Sequence, residues 1–113
     1  MIIYHNPRCS KSRQTLALVE AEGITPAIVN YLDASLTETD IQDLLSKLGV
    51  AARAVIRKSE DAYKELSLGK MHFSEQQLIA AITKHPKLLE RPIVVKGSSA
   101  IIGRPPENVL TLL

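Results

Sequence analysis

Cysteine occurs once in the 113 residues, tryptophan is absent, and aromatic residues make up only 4%. With Cys9 alone, no intramolecular disulfide can form and no structural zinc site of several thiolates can be built. A disulfide-stapled secreted scaffold is therefore excluded. Any redox cycle must borrow a second thiol from another molecule. The aromatics, Tyr4, Tyr31, Tyr63 and Phe73, are scattered without the pattern of a stacking platform, so they are expected in core or half-core positions rather than against nucleic acid. Charge of one sign is also scarce. Fourteen Lys and Arg against twelve Asp and Glu leave +2, too small a surplus for a nucleic-acid or membrane footprint. No apolar run approaches the roughly 18 residues of a membrane span, and Met1-Ile2-Ile3-Tyr4-His5-Asn6-Pro7 lacks the basic stretch and apolar segment of a signal peptide. The chain reads as cytoplasmic.

Leu, Ile, Val and Phe together number 34, well above the level at which a chain cannot bury enough apolar surface to fold. The length suits one compact domain, residues 1–113. Residues 2–4 form a short apolar run ended by Asn6-Pro7. A helix from about Ser10 runs through Leu16, Val19 and Glu22 to Gly23, and residues 27–32 read as a second strand parallel to the first. Thr37 with Asp40 caps a helix carrying Ile41, Leu44, Leu45 and Leu48 and stopped by Gly49. Residues 51–57 and 61–66 read as two shorter helical pieces, the second closed by Gly69. Ser74 with Gln77 caps another helix, with Phe73 and Leu78 placed as a hydrophobic staple and Ile79 and Ile82 in its buried stripe up to His85-Pro86. Residues 93–95 and 100–102 form a hairpin around Lys96-Gly97-Ser98-Ser99, and Pro105-Pro106 opens a last helix whose Val109, Leu110 and Leu113 supply an apolar docking face. The order is βαβ, a helical insertion, then ββα: an α/β chain with a small mixed sheet and helices on both faces, for which a thioredoxin-like fold is the natural candidate.

Cys9 lies where the first strand hands over to the first helix, a place where free N–H groups and the helix dipole favour an anion. Arg8, Lys11 and Arg13 add nearby positive charge, the conditions that lower a thiol pKa. A lone cysteine can also be a small buried hydrophobe, but the surrounding Arg8, Ser10, Lys11, Ser12 and Arg13 argue for exposure and reactivity. His5, four residues upstream, could hold a thiolate as imidazolium, take its proton as a neutral ring, or simply bond to backbone at a strand end. Arg57, Arg91 and Arg104 are far apart, and surface solvation is their simplest fate. Arg91 and Arg104 nevertheless stand beside proline junctions able to aim a guanidinium fork. His72 and His85 make no metal-ligand spacing with His5 and read as surface or helix-end residues.

The run His5-Asn6-Pro7-Arg8-Cys9-Ser10-Lys11-Ser12-Arg13 closely resembles the signature of the glutaredoxin-linked arsenate reductase family, which has a thioredoxin-like fold. Tyr31-Leu32, Ile56-Arg57-Lys58, Phe73-Ser74-Glu75, Arg91-Pro92-Ile93-Val94 and Arg104-Pro105-Pro106-Glu107 resemble that family's successive blocks in order. The resemblance implies that Cys9 is the nucleophile assisted by His5, that Arg57, Arg91 and Arg104 cradle an oxyanion such as arsenate, and that Pro92 is a cis-proline facing Cys9. It further implies glutathione as co-substrate and glutaredoxin as partner, with no bound cofactor or metal; a monomer is the default for so small a redox domain. The single thiol argues against the thioredoxin-linked, phosphatase-like arsenate reductases, which need resolving cysteines and an arginine six residues after the nucleophile, where this chain has Thr15. The chain ends soon after the Arg104 block, whereas well-known arsenate-reducing members continue into a longer tail. Two other functions stay open: a monothiol glutathione-dependent oxidoreductase using the C-x-x-S arrangement of Cys9 to Ser12, and an Spx-like regulator that binds RNA polymerase, whose C-x-x-C switch Ser12 would remove.

Overall fold

Ile3 and Val94 pair across the centre of a four-stranded sheet, and both are fully buried. The computed structural model describes residues 1–69 and 73–113. It divides into two units, residues 1–34 with 91–113, and residues 35–90. The expected hairpin at 93–102, the βαβ opening and the two long capped helices are all present; the expectation for His72 lies outside the described residues.

The first unit is the thioredoxin-like sheet. Strand β1 (Ile2–His5) leads through a tight loop into helix α1 (Ser10–Ala21), then β2 (Ala27–Asn30). After the second unit come β3 (Ile93–Lys96), β4 (Ser99–Ile102) and a 3₁₀ helix, Pro106–Leu112. The sheet order is β2-β1-β3-β4, with β1 and β2 parallel and the other neighbours antiparallel. Strand β3 is central and buries Ile93, Val94 and Val95 in succession, as a strand covered on both faces must. Ile3, Val19, Val94 and Val109 form the core of this unit, with Leu16, Leu18, Ile24, Ile101 and Leu112 packed around it. Because side chains alternate along a strand, His5 shares the face of Ile3 and lies under the first turn of α1. Gly97, first of the two residues turning β3 into β4, has φ 62°, which the mirror-image hairpin turns require.

The second unit is helical. Helix α2 (Glu38–Leu48) begins with a reciprocal Thr37–Asp40 capping box and ends at Gly49. A 3₁₀ turn (Ala52–Val55), the short helix α3 (Asp61–Glu65) and α4 (Glu75–Lys84) follow, the last opened by a Ser74–Gln77 capping box. Helices α2 and α4 pack together. The Glu75 carboxylate at the start of α4 accepts the Ala52 N–H at 2.8 Å.

Four expectations need correction. The second strand stops at Asn30, where the Asp33 N–H bonds the Asn30 carbonyl and turns the chain with Tyr31 buried. Within 51–57 only residues 52–55 are helical; Ile56 is extended and bridges Leu89, and the Arg57 N–H bonds the Leu88 carbonyl. Helix α3 is closed by Leu66 and a left-handed Ser67 (φ 55°) rather than by Gly69. The last helix is 3₁₀, so Val109 is buried while Leu110 is 45% exposed and lies outside the docking face. No described helix is long and apolar enough to cross a membrane.

Candidate active site

Asn6 builds the loop that delivers Cys9. Its carbonyl accepts the Cys9 N–H at 3.0 Å and its Oδ1 accepts the Arg8 N–H at 3.0 Å. Its own N–H donates to Ser12 Oγ at 3.0 Å. Arg13 Nη1 donates to the Pro7 carbonyl at 2.9 Å, tying the first turn of α1 back to the loop. Cys9 is thereby held in extended conformation at the N-cap of α1, half-buried, with the N–H groups of the first helical turn beside it.

Burial pushes the Cys9 thiol up. The Ser12 N–H, a hydrogen bond from the Arg91 side chain, the Lys11 N–H and the Arg104 charge together outweigh it, so that its pKa lies below the ordinary 9.0. Arg104 Nη2 stands 3.4 Å from Cys9 Sγ, while its Nε donates to the Arg91 carbonyl at 2.8 Å. Two of the expected arginines, Arg91 and Arg104, are thus brought to the sulfur. Of the three neighbouring cations expected to act on the thiol, Lys11 does so through its backbone N–H, while the side-chain contributions come from Arg91 and Arg104.

The two arginines are aimed by one hairpin. Arg91 precedes Pro92 at the entrance to β3 and Arg104 follows the exit of β4, and both Arg91-Pro92 and Arg104-Pro105 are cis. The Gly103 N–H bonds the Pro92 carbonyl at 2.9 Å, closing the hairpin at the site. A Cβ on Gly103 would stand 2.5 Å from Thr15 Oγ1 and 2.9 Å from Pro92 Cγ, so only glycine lets the end of β4 approach α1 this closely.

His5 is buried, and its Nδ1 lies 2.6 Å from Ser12 Oγ. Burial, and then the Arg13 charge, lower its pKa, so the ring is neutral rather than imidazolium. A neutral ring can accept the Ser12 hydroxyl proton at Nδ1 and leave the oxygen free to accept the Asn6 N–H. His5 therefore meets the cysteine segment through Ser12, whose N–H is the first of the groups that lower the thiol.

Arg57 sits in the second unit, with Nε 3.5 Å from Glu60 and Nη1 3.5 Å from Glu90. His85 is exposed at the end of α4, as expected. Among the described residues no group of His, Cys, Asp and Glu could hold a metal.

Ser12 and Thr15 are the site residues that sequence reading missed: both are fully buried, although Ser12 was expected among exposed polar neighbours. The available signal was their spacing, since positions 12, 15 and 19 share one helix face and that face continues to Val19.

The ArsC family model matches residues 4–112. An uncharacterized Escherichia coli protein, YfgD, is 51% identical over 112 residues, covering 98% of this chain and 94% of its own. A Haemophilus influenzae protein named arsenate reductase is 47% identical over 114 residues, covering 100% of this chain and 98% of its own. A solved Vibrio cholerae arsenate reductase superposes with a TM-score of 0.97 at 50% identity, covering 99% of this chain and 96% of that one.

Proposed function

Because the chain belongs to the ArsC family, we propose that it is an arsenate reductase in which Cys9 is the nucleophile and glutathione and glutaredoxin supply the reducing thiols. The observation that carries this reading is the 3.4 Å approach of Arg104 Nη2 to Cys9 Sγ, with Arg91 on the same sulfur. Paired guanidinium forks neutralise a tetrahedral oxyanion, and a thiolate can then attack its pentavalent centre. Relatives of the same length bear the name arsenate reductase, which supports the substrate.

In this mechanism the Cys9 thiolate bonds to arsenic and one arsenate oxygen leaves as water. A glutathione thiolate then attacks the Cys9 sulfur, the sulfur–arsenic electron pair passes to arsenic, and the arsenic, reduced from As(V) to As(III), leaves as arsenite. Cys9 remains as a mixed disulfide with glutathione, which a glutaredoxin thiol cleaves to restore Cys9. One arsenic is reduced by two electrons while two thiols become one disulfide. Arg91 and Arg104 bind and polarise the oxyanion. His5 acts as a positioning residue through Ser12. Residues 1–113 act as one functional monomer in the cytoplasm, where the glutathione pool maintains reduced thiols.

The test is NADPH consumption with arsenate, glutathione, glutaredoxin and glutathione reductase, comparing wild type with Cys9→Ser. Arsenate-dependent turnover lost in the variant supports the proposal. A folded wild type with readily alkylated Cys9 and no turnover overturns it and favours a monothiol oxidoreductase or a regulator.

A further inference from the structure

A cleft of about 260 Å³ opens between the cysteine loop and the end of β2, bounded by Asn6, Pro7, Arg8, Asn30, Leu32 and Asp33. The parallel register that sets His5 beside Asn30 brings these two segments together. One wall runs directly into Cys9. Arg8 and Asp33 put opposite charges at the cleft, both are exposed, and among the described residues neither forms an ion pair.

We infer that this cleft binds the peptide arm of the thiol co-substrate, a γ-glutamyl tripeptide of the glutathione type. The inference rests on the reductase reading for the identity of that thiol. A zwitterionic amino-acid end matches the two charges, its carboxylate to Arg8 and its ammonium to Asp33. An oxyanion is disfavoured here because Asp33 repels it. The volume falls just under the roughly 300–1,000 Å³ of whole small-molecule pockets, so one arm is held while the cysteinyl thiol stays outside, on the side of Cys9.

The probe is S-methylglutathione, which cannot react, titrated into the full chain while backbone amide resonances are followed. Saturable shifts should centre on Asn6, Arg8, Asn30 and Asp33. Arg8→Gln and Asp33→Asn should each weaken binding about two- to fivefold, and Arg8→Lys should recover most of the loss. In turnover the first two should raise the KM for glutathione while the KM for arsenate stays in place. Shifts centred elsewhere, or variants that bind like wild type, overturn the assignment. If wild type reduces arsenate but the variants keep its KM for glutathione, the cleft assignment fails and the reductase reading stands. If wild type reduces no arsenate, the reductase reading fails and the titration alone decides the cleft.

Discussion

Arg104 reaches Cys9 across 95 positions of sequence, its Nη2 standing 3.4 Å from the sulfur while its Nε is anchored on the Arg91 carbonyl. One guanidinium therefore both favours the thiolate and ties itself to the backbone of the residue that carries the other cationic arm.

Replacing Arg104 by alanine should slow alkylation of Cys9 at neutral pH and reduce arsenate turnover by roughly 10²–10³. Arg104→Lys keeps the charge but not the planar fork, and should recover alkylation more fully than turnover. Iodoacetamide kinetics against pH, beside the coupled assay, check both.

Gly103→Ala should cost about 1–3 kcal/mol of stability and weaken turnover without touching any charged group, because the new methyl collides with Thr15 and Pro92. Adding Thr15→Ala removes the closer of the two collisions. The double variant should therefore be more stable than the sum of the single changes, as read by denaturant midpoints in a double-mutant cycle.

Ser12→Ala removes the partner of both the His5 ring and the Asn6 N–H. The expected loss is about 1–3 kcal/mol, since two buried polar groups are left unsatisfied. An NMR titration of His5 should show an altered pKa, and Cys9 should alkylate more slowly as the loop loosens.

Stability should rise with pH as each of two groups titrates. His5 titrates lower in the folded chain than its ordinary 6.5, so acidification below that value favours the unfolded state, which takes up the proton first. The Cys9 pKa is also lowered, so the folded state releases its proton before the unfolded chain does, and stability grows as pH rises from the folded pKa toward 9.0. His5→Gln should flatten the acid limb and Cys9→Ser the alkaline one, as followed by urea midpoints across pH.

The sequence made legible what is encoded locally. The strand before Asn6-Pro7, the capping pairs at Thr37 and Ser74, the hairpin around Gly97 and the place of Cys9 at a helix start all follow from neighbouring residues. The pairing of Arg104 with Cys9 is a product of strand order, which no one-dimensional spacing contains; the resemblance supplied it. Ser12 was misplaced for a different reason. Its hydroxyl reads as polar surface, yet it spends its hydrogen bonds inside the fold, on His5 and Asn6, just as the buried Thr15 hydroxyl is satisfied by the Lys11 carbonyl. The 3₁₀ geometry at 52–55 and 106–112 escaped because apolar spacing over so few residues does not separate it from an α-helix.

The β3–β4 hairpin has its two arginines at one end and the Gly97-Ser98 turn at the other. The spacing of the two arginine backbones is thus set by the strand ladder and by the Gly103–Pro92 bond, and not by the distant turn. That separation makes the turn a permissive place for grafting. A short flexible insert there would lengthen the outer end of the hairpin and leave the grip on the sulfur in place, which offers a tethering point for a fluorophore or a surface anchor on an otherwise intact protein.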